Sequence, residues 1–372
     1  MKIKIDKHRL MVISEAVKPF LPKNPLFPIL ENVLLKCSED EIIFTASDNQ
    51  NVIEYLLPIS EVEIFGPKSV CFNIIMVSDY IRNVKDENIE LFFTDNSLSV
   101  SHSSGTIDIA IESAKDFPNR EIIIPNGMKP INGTELCTAL KESINVIEGD
   151  KNYESRSNSV HIKKGDSGKL ELFSSNGDTY RFFSVVKIDA NGLDTKISIH
   201  KSQLPKLINF AFKKPLLEIV ALKDRIIAKD SNSIISIMGG EYFAPPYEKV
   251  DSQVTICEIE LSKDDVISCL DRLLVSVKGT DTSNLVLENE NDYLSLSVIN
   301  TNYGIQVRET LKANKISESV SVGFDMNQLY KSVKSIDSEI IFIEIFHTAA
   351  KVSGKGNSDA FFVTGLVNIL NK

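Results

Sequence analysis

One order of apolar and polar positions occurs three times along the chain, at residues 5–10, 131–136 and 261–266. In each copy an apolar residue precedes a short polar residue, and the apolar stripe of a helix begins four to five residues later. The polar residues can cap a helix because their side-chain oxygens accept a free amide of the first turn. They are Asp6, Asn132 and Ser262. We therefore predict helices over residues 7–17, 134–146 and 264–274.

A second helix is predicted at a matching place in each copy. It is marked by two apolar residues four positions apart, which lie on the same face of a helix. Pro205 falls in the first turn of one of these helices, where the missing amide costs little. The apolar pairs are Val77 and Ile81, Leu204 and Ile208, and Leu329 and Val333.

Between these helices the pattern changes to short runs typical of β-strands, separated by Asn, Asp, Gly and Ser. Each half of a copy thus consists of one strand, one helix and about three strands. Six such halves of about 60 residues fill the 372-residue chain. The clearest strand-like runs are residues 42–44, 90–93, 98–100, 170–173, 294–298 and 340–343.

The joints between the copies also resemble one another. Residues 115–119 contain Asp-Phe-Pro-Asn, and residues 241–247 contain Phe-Ala-Pro-Pro-Tyr. We place the boundaries there, which gives an α+β chain of three tandem domains, each with its own core: residues 1–127, 128–252 and 253–372. Six capped copies in register distinguish this pattern from a chance match, and the repeat is longer than those of solenoid proteins.

Composition indicates a globular protein, with 42% hydrophobic and 25% charged residues. No apolar run reaches the roughly 18 residues of a membrane helix. Residues 1–6 alternate in polarity, unlike a secretory signal. The five cysteines are odd in number and form no C-x-x-C pair, which favours reduced, buried thiols in a cytoplasmic protein. The scattered histidines show no metal-ligand spacing, so no metal or other cofactor is expected.

The formal net charge of −10 argues against a general nucleic-acid binder, since such proteins are usually basic. It does not argue against a protein whose positive charge is confined to one surface, because the mean charge carries no information about its distribution.

Several local stretches resemble the bacterial DNA polymerase III beta subunit, or beta sliding clamp, family. Residues 24–35 are similar to its Pro-x-x-Pro-Ile-Leu-x-Asn stretch, and residues 45–48 to its Thr-x-Thr-Asp. Residues 116–119 match the end of its first domain. Residues 177–182 and 244–247 are similar to its Thr-Asp-x-x-Arg-Leu and Phe-Pro-Asp-Tyr segments. The resemblance extends over essentially the whole chain, in the order and spacing of the repeats.

This resemblance implies a head-to-tail homodimer that forms a closed ring of six domains, with helices lining the hole and sheets forming the outer wall. It implies four kinds of partner: duplex DNA bound without sequence preference, DNA polymerase III, clamp-loader subunits, and other proteins with a clamp-binding motif. A clamp must slide, so phosphate contacts from the inward helices suit it. The basic candidates in or beside predicted helices are Lys7, Arg9, Arg82, Lys85, Lys141, Lys201, Lys206, Arg272, Lys331 and Lys334. Each could equally belong to an ordinary solvated helix face.

The resemblance also implies a partner-peptide cleft between the second and third domains. An apolar pocket with a few polar groups suits a short hydrophobic peptide, although several of these residues could equally be plain core. The family usually ends in a run like Met-Pro-Met-Arg-Leu, whereas residues 364–367 here are Thr-Gly-Leu-Val. The expected cleft residues are Thr179, Tyr180, Arg181, Phe182, Pro245, Lys249, Val250, Asp325, Gln328, Thr348, Ala350, Phe362, Val363, Thr364, Gly365 and Leu366.

For the contact between subunits, we expect the edge strand at residues 106–111 to pair with the third domain of a second copy. Ile109 and Ile111 would meet Leu274 and Val275. The alternative is burial of these residues in their own domain. Covering an exposed apolar edge by a partner is physically reasonable because a bare edge invites aggregation.

The sequence favours a protein without catalytic activity. It contains no Walker loop, nucleophile elbow or kinase motif, and the Ser-Gly-Lys-Gly at residues 353–356 fits a hairpin turn. Asp264 and Asp265 fit a helix start better than a two-metal nuclease site. The altered C-terminus and acidic balance keep one rival open, an interaction scaffold that has the clamp fold but does not encircle DNA.

Overall fold

The computed structural model divides the chain into two compact units. Unit 1 comprises Met1–Cys137, Ala190–Ile197 and Ser202–Gly240, and unit 2 comprises Thr138–Asp189, Ser198–Lys201 and Glu241–Lys372. The structure describes residues 1–37, 41–58, 62–65, 68–118, 121–147, 158–176, 182–189, 193–242, 253–277, 284–290, 292–300 and 304–367.

The helices of the described residues begin where the caps and apolar stripes predict. The carboxylate of Asp6 accepts the amide of Arg9, and the hydroxyl of Ser262 accepts that of Asp265. Asn132 accepts the amide of Thr134 at 3.0 Å. These caps confirm the three predicted starts to within one residue. The helices are α1 Lys7–Val17, α2 Ile74–Ile81, α3 Gly133–Ile144, α4 Leu204–Ala211, α5 Lys263–Leu274 and α6 Met326–Ser335.

All the strand-like runs predicted from sequence lie in strands. The strands are β1 Lys2–Asp6, β2 Val33–Cys37, β3 Ile42–Ser47, β4 Val52–Leu57, β5 Val62–Phe65, β6 Lys68–Phe72, β7 Asn88–Phe93, β8 Ser97–His102, β9 Gly105–Ala110, β10 Glu112–Ser113, β11 Lys129–Ile131, β12 Ser159–Lys164, β13 Leu170–Ser175, β14 Phe182–Ile188, β15 Lys196–His200, β16 Leu217–Ala221, β17 Arg225–Lys229, β18 Ser233–Met238, β19 Cys257–Ser262, β20 Asn284–Glu290, β21 Tyr293–Asn300, β22 Ile305–Lys312, β23 Lys315–Ile316, β24 Ser321–Asp325, β25 Ile340–Ile345, β26 Ala349–Gly354 and β27 Ala360–Val367.

The elements repeat six times as strand, helix and three strands, which confirms the predicted half-repeat. We number these halves 1 to 6 along the chain. Their last strands are β4, β9, β14, β18, β22 and β27. The short strands β5, β10 and β23 are additions to this scheme.

Unit 1 contains two antiparallel sheets. One has the order β5-β1-β7-β8-β9, and the other β10-β6-β2-β3-β4-β18-β17-β16-β11. Helices α1 and α2 pack together, and apolar residues such as Leu10, Phe44 and Val77 are fully buried. The rings of Phe72 and Phe93 meet edge to face at 5.8 Å. Such packing contributes beyond the area that each ring buries.

In unit 2 the strands run in the order β12-β13-β14-β27-β24-β20-β21-β22, with β19, β25 and β26 joined through β27. Helices α5 and α6 pack together over this sheet. Their core includes Cys257, Leu270 and Leu329, each at most 1% exposed. Val146, which follows α3, belongs to the same core. The boundaries near residues 127 and 252 stay predictions.

Candidate functional site

Two strand pairings of the same kind join distant halves of the chain. In unit 1, β4 pairs antiparallel with β18, with Tyr55 opposite Ser233. In unit 2, β14 pairs antiparallel with β27, with Val185 opposite Phe361. In both cases the last strand of one half meets the last strand of the half three places further along.

Part of the predicted peptide cleft lies beside the second pairing. Asp325 caps α6 and accepts the amide of Gln328 at 3.1 Å. The hydroxyl of Thr364 donates to Oε1 of Gln328 at 3.1 Å, which ties β27 to α6. Thr364 is fully buried and Gln328 is half-buried. Sequence reasoning named these residues but could not predict that they bond to each other.

The last strand, β27, pairs with β14 along one part of its length and with β24 along the next. Residues Ala360–Thr364 of β27 pair with β14, whereas Leu366 and Val367 pair with Phe324 and Gly323 of β24. Strands β24 and β27 approach so closely at Gly323 that a Cβ there would lie 2.5 Å from the carbonyl oxygen of Val367. The altered C-terminal run is thus held as a strand at this position.

The apolar cleft candidates differ in exposure. Phe362 and Val363 are 3% and 2% exposed, and Ala350 is fully buried. Leu366 and Gly365 are half-buried, and Thr348 is exposed and accepts the amide of Leu366 at 2.9 Å. The accessible apolar surface therefore lies at the end of β27 rather than along it. Candidates outside the described residues are Thr179, Tyr180, Arg181, Pro245, Lys249 and Val250, and for Phe182 only the backbone is described.

Many predicted DNA-facing side chains already have partners within the chain. The Nζ of Lys7 donates to the carbonyl of Val84 at 2.6 Å. Arg82 pairs with Asp79 at 2.8 Å. Lys334 lies over the ring of Tyr330 at 5.3 Å. Lys85 and Lys141 are exposed, and Arg9, Lys201 and Lys331 are half-buried.

Arg272 makes a bidentate contact with Glu309 of β22. Its Nε and Nη2 donate to the two carboxylate oxygens at 3.1 and 2.7 Å. This bond and the positive charge of Arg272 hold the pKa of Glu309 below its usual value. The pair joins α5 to β22, but Arg272 is exposed, so the pair contributes little stability.

Lys206, another of the basic candidates, has a side chain that is only 12% exposed. Its Nζ lies 3.0 Å from Oδ2 of Asp48 and 3.2 Å from Oε1 of Gln203. Asn51, which is fully buried, donates to the same Gln203 oxygen at 2.7 Å. Sequence reasoning missed Asp48, Asn51 and Gln203 because their contacts span about 150 residues of chain.

The predicted subunit-contact residues belong to different units, Ile109 and Ile111 to unit 1 and Leu274 and Val275 to unit 2. Ile109 is 6% exposed, so its own domain already buries most of it, and Ile111 is half-buried. Leu274 is half-buried, whereas Val275 is 63% exposed. β9 ends one sheet of unit 1, and β22 ends the sheet of unit 2, each pairing on one side only among the described residues.

The five cysteines are free and buried, as predicted. Burial raises the pKa of the Cys71 thiol to about 12 and that of Cys269 to about 11. Such thiols are protonated at neutral pH and are poor nucleophiles. Within the described ranges, no three His, Cys, Asp or Glu side chains are grouped as metal ligands would be.

No helix in the described part of the chain is both long enough and apolar enough to cross a membrane.

The chain is similar in sequence to proteins of known function. Residues 1–121 match the family of the DNA polymerase III beta subunit, N-terminal domain. The chain is 24% identical to a beta sliding clamp of Helicobacter pylori over 279 residues, which cover 71% of this chain and 70% of that protein. It is 22% identical to the beta sliding clamp of Buchnera aphidicola over 374 residues, covering 96% and 97% of the two chains. The resemblance to the DNA polymerase III beta subunit family is confirmed.

The clamp fold is confirmed as well. The structure superposes on the DNA polymerase sliding clamp of Bacillus subtilis with a TM-score of 0.88, covering 99% of each chain at 16% sequence identity. At that identity the superposition shows a shared fold. The predicted arrangement of α+β clamp domains built from half-repeats is therefore correct for the single chain.

Proposed function

We propose that this protein is a DNA sliding clamp, a non-catalytic accessory subunit that encircles duplex DNA and tethers a replicative polymerase. The beta clamps of Helicobacter pylori and Buchnera aphidicola, which match most of the chain, support this function. The observation that carries it is the rule by which the half-repeats join, since this rule leads to a closed ring.

Within the chain, the last strand of half 1 pairs with that of half 4, and the last strand of half 3 pairs with that of half 6. Each junction therefore joins half n to half n + 3. In the part of the chain that the structure describes, the halves without such a junction are 2 and 5, which end in β9 and β22. Applied once more, the rule pairs β22 of one chain with β9 of a second chain.

This contact is heterologous, because two different surfaces meet, and it closes when two copies form it twice. The result is a homodimeric ring in which every last strand has a partner. The physical need for closure is clear from the free edges, because β9 and β22 would otherwise each expose a row of unpaired backbone groups. Val275, exposed at the end of α5, would be covered by the partner.

Sliding requires that DNA be held by topology and only weakly by energy. Phosphate contacts from Lys and Arg are independent of sequence and allow a protein to move along the duplex. The exposed candidates suit this role, and they are Arg82, Lys85, Lys141, Arg272 and Lys334. The ion pair with Asp48 makes Lys206 better suited to joining the first and fourth halves.

The polymerase, the clamp loader and other partners would bind at the cleft beside β14 and β27. Its amide and carboxylate groups come from Gln328 and Asp325, and the buried hydroxyl of Thr364 positions the amide of Gln328. An extended peptide needs a few such polar groups beside an apolar surface, which the half-buried Leu366 provides. The changed residues 364–367 predict a peptide preference different from that of relatives ending in Met-Pro-Met-Arg-Leu.

Electron microscopy of the purified full-length protein tests the assembled ring. Class averages should show a closed ring of two chains with six lobes and a hole wide enough for duplex DNA. Crescents or single three-lobed chains at micromolar concentration would contradict ring formation, and would favour a clamp-fold scaffold that does not encircle DNA.

A further inference from the structure

A cavity of about 330 Å³ lies beside the β4–β18 pairing in unit 1, on surface that the clamp proposal does not use. Its aliphatic wall is drawn from separate parts of the chain: Ile43 of β3, Leu56 of β4, Ile124 of the segment after β10, and Ile234 of β18. In the strand register, Ile43 lies opposite Leu56, and Ile234 lies opposite Glu54. The pairing of β4 with β18 thus brings Leu56 and Ile234 into the same wall.

The cavity lies on the face of β4 opposite to the face that meets α1 and α4. Side chains alternate across a strand, and Ile53 and Tyr55 line a different cavity with Phe20 and Phe210, beside α1 and α4. Leu56, which points the other way, is 41% exposed, and Ile124 is 55% exposed. Aliphatic side chains that converge on one concave surface and stay accessible mark a binding site more often than scattered ones do.

The charge lining the cavity is unbalanced. Lys229 is paired with Glu218 at 2.7 Å. Asp230 is paired with Lys214 and accepts the amide of Asn232 at 2.9 Å. Glu54 is half-buried, and among the described residues its carboxylate has neither a hydrogen bond nor an ion pair.

The surroundings of Glu54 are unfavourable for its negative charge. Burial raises the pKa of the Glu54 carboxyl above its usual value, and Lys36 only partly opposes this. The nearby carboxylates of Glu121 and Glu41 raise the pKa further. A cation beside Glu54 would relieve both the desolvation and the repulsion.

We propose that this cavity binds a short peptide segment of a partner protein that carries an aliphatic side chain next to a lysine or arginine. The aliphatic group would fill the space between Leu56, Ile124 and Ile234, and the basic group would pair with Glu54. The local negative charge disfavours nucleic acid and acidic peptides, and a basic peptide is the complementary occupant. This site goes beyond the proposed clamp function and does not depend on it, because all of its residues lie in unit 1 of a single chain.

The test uses the full-length protein with isotope-labelled Ile and Leu methyl groups, observed by NMR. The probe is the peptide acetyl-Ala-Leu-Arg-Leu-Ala-amide, and the matched control peptide replaces Arg with Glu. The methyl signals of Ile43, Leu56, Ile124 and Ile234 should shift to saturation with the Arg peptide, and its affinity should exceed that of the Glu peptide by about tenfold, as expected for one charge-assisted contact.

Two variants locate the effect. Glu54→Gln should weaken binding of the Arg peptide by about tenfold and abolish the preference over the Glu peptide. Ile124→Ser should weaken both peptides, whereas its matched control Ile123→Ser, at a residue 81% exposed and outside the cavity lining, should leave both unchanged. Equal affinities for the two peptides, unchanged binding by the Glu54→Gln protein, or shifts that do not saturate would overturn the proposal.

Discussion

The Nζ of Lys206 lies 3.0 Å from Oδ2 of Asp48, and both side chains are mostly buried. Asp48 also accepts the backbone amide of Asn51 at 2.7 Å, and Asn51 in turn bonds to Gln203. The turn between β3 and β4 is thereby fastened to the first turn of α4. A residue predicted to face DNA therefore supports the junction between the first and fourth halves.

Replacing Lys206 with Met should destabilise unit 1. Removing the lysine leaves a buried carboxylate with fewer partners, which costs about 1–3 kcal/mol. Urea unfolding should show this loss at pH 7, and Lys85→Met, at an exposed residue, should change stability by less than about 0.5 kcal/mol. Equal stability of the two variants would show that the Lys206–Asp48 pair does not hold the junction.

Lowering the pH should reduce the stability of unit 1, because the carboxylates of Asp48 and Asp230 become protonated. Burial raises the pKa of Asp48 and of Asp230, but hydrogen bonds and cations more than offset it and hold both pKa values below 3.8. A depressed folded-state pKa gives stability that is present above the unfolded value and is lost as the pH falls through the folded one. Unfolding measured between pH 5 and pH 3 should show a fall in stability that is shallower in Asp230→Asn. Parallel curves for the two proteins would contradict this assignment.

The local parts of the fold could be read from sequence. Asp6, Asn132 and Ser262 identified helix starts because a cap and an apolar stripe are both local signals. The strand pairings could not be found in this way. Nothing in the sequence near Tyr55 indicates that it faces Ser233, since pairing between distant strands depends on the whole sheet.

The candidate site was predictable only in part, for the same reason. The resemblance indicated Gln328 and Thr364, but their mutual hydrogen bond depends on how β27 passes α6. The role of Gly323 was missed, although a glycine within a strand is a signal of close backbone approach. Glu54 was missed because a single acidic residue in an alternating strand looks like an ordinary exposed position.

Replacing Glu142 with Gln should stabilise unit 2 at neutral and alkaline pH. Burial, and secondarily the charge of Asp337, raises the pKa of Glu142 to about 7. When the pKa of a carboxyl group is raised in the folded state, the folded protein loses stability as the pH rises from the group's unfolded-state pKa of 4.5 towards 7. Thermal unfolding at pH 8 should show a gain of about 1–2 kcal/mol, and the gain should vanish near pH 4.5. A gain that is equal at both pH values would contradict the assignment.

Replacing Gly323 with Ala should detach the end of β27. The added Cβ would lie 2.5 Å from the carbonyl oxygen of Val367, so the backbone must move. We expect a loss of about 1–3 kcal/mol, together with faster amide exchange at Leu366 and Val367. Gly240→Ala is the matched control, because no atom lies within 4 Å of its added Cβ. Unchanged exchange in the Gly323 variant would mean that the pairing tolerates the methyl group.

Replacing Val275 with Glu should weaken subunit association without unfolding the chain. The side chain is 63% exposed in the single chain, so a charge there is harmless until the partner covers it. Sedimentation velocity should show at least about tenfold weaker dimerisation. Val254→Glu, at a residue 76% exposed, is the control for an added surface charge. Dimers as tight as the unmodified protein's would place the interface away from the end of α5.

The claim that the protein encircles DNA is tested most directly by its retention on circular and linear duplexes of the same sequence. The protein, loaded on a nicked circle by a clamp loader with ATP, is passed through a sizing column at high salt, before and after the circle is cut once. Topological binding predicts that it stays with the intact circle and is released when the circle is cut, because high salt removes phosphate attraction but leaves a closed ring in place. Equal retention on both forms, or loss from both, would contradict the proposal that the protein encircles DNA.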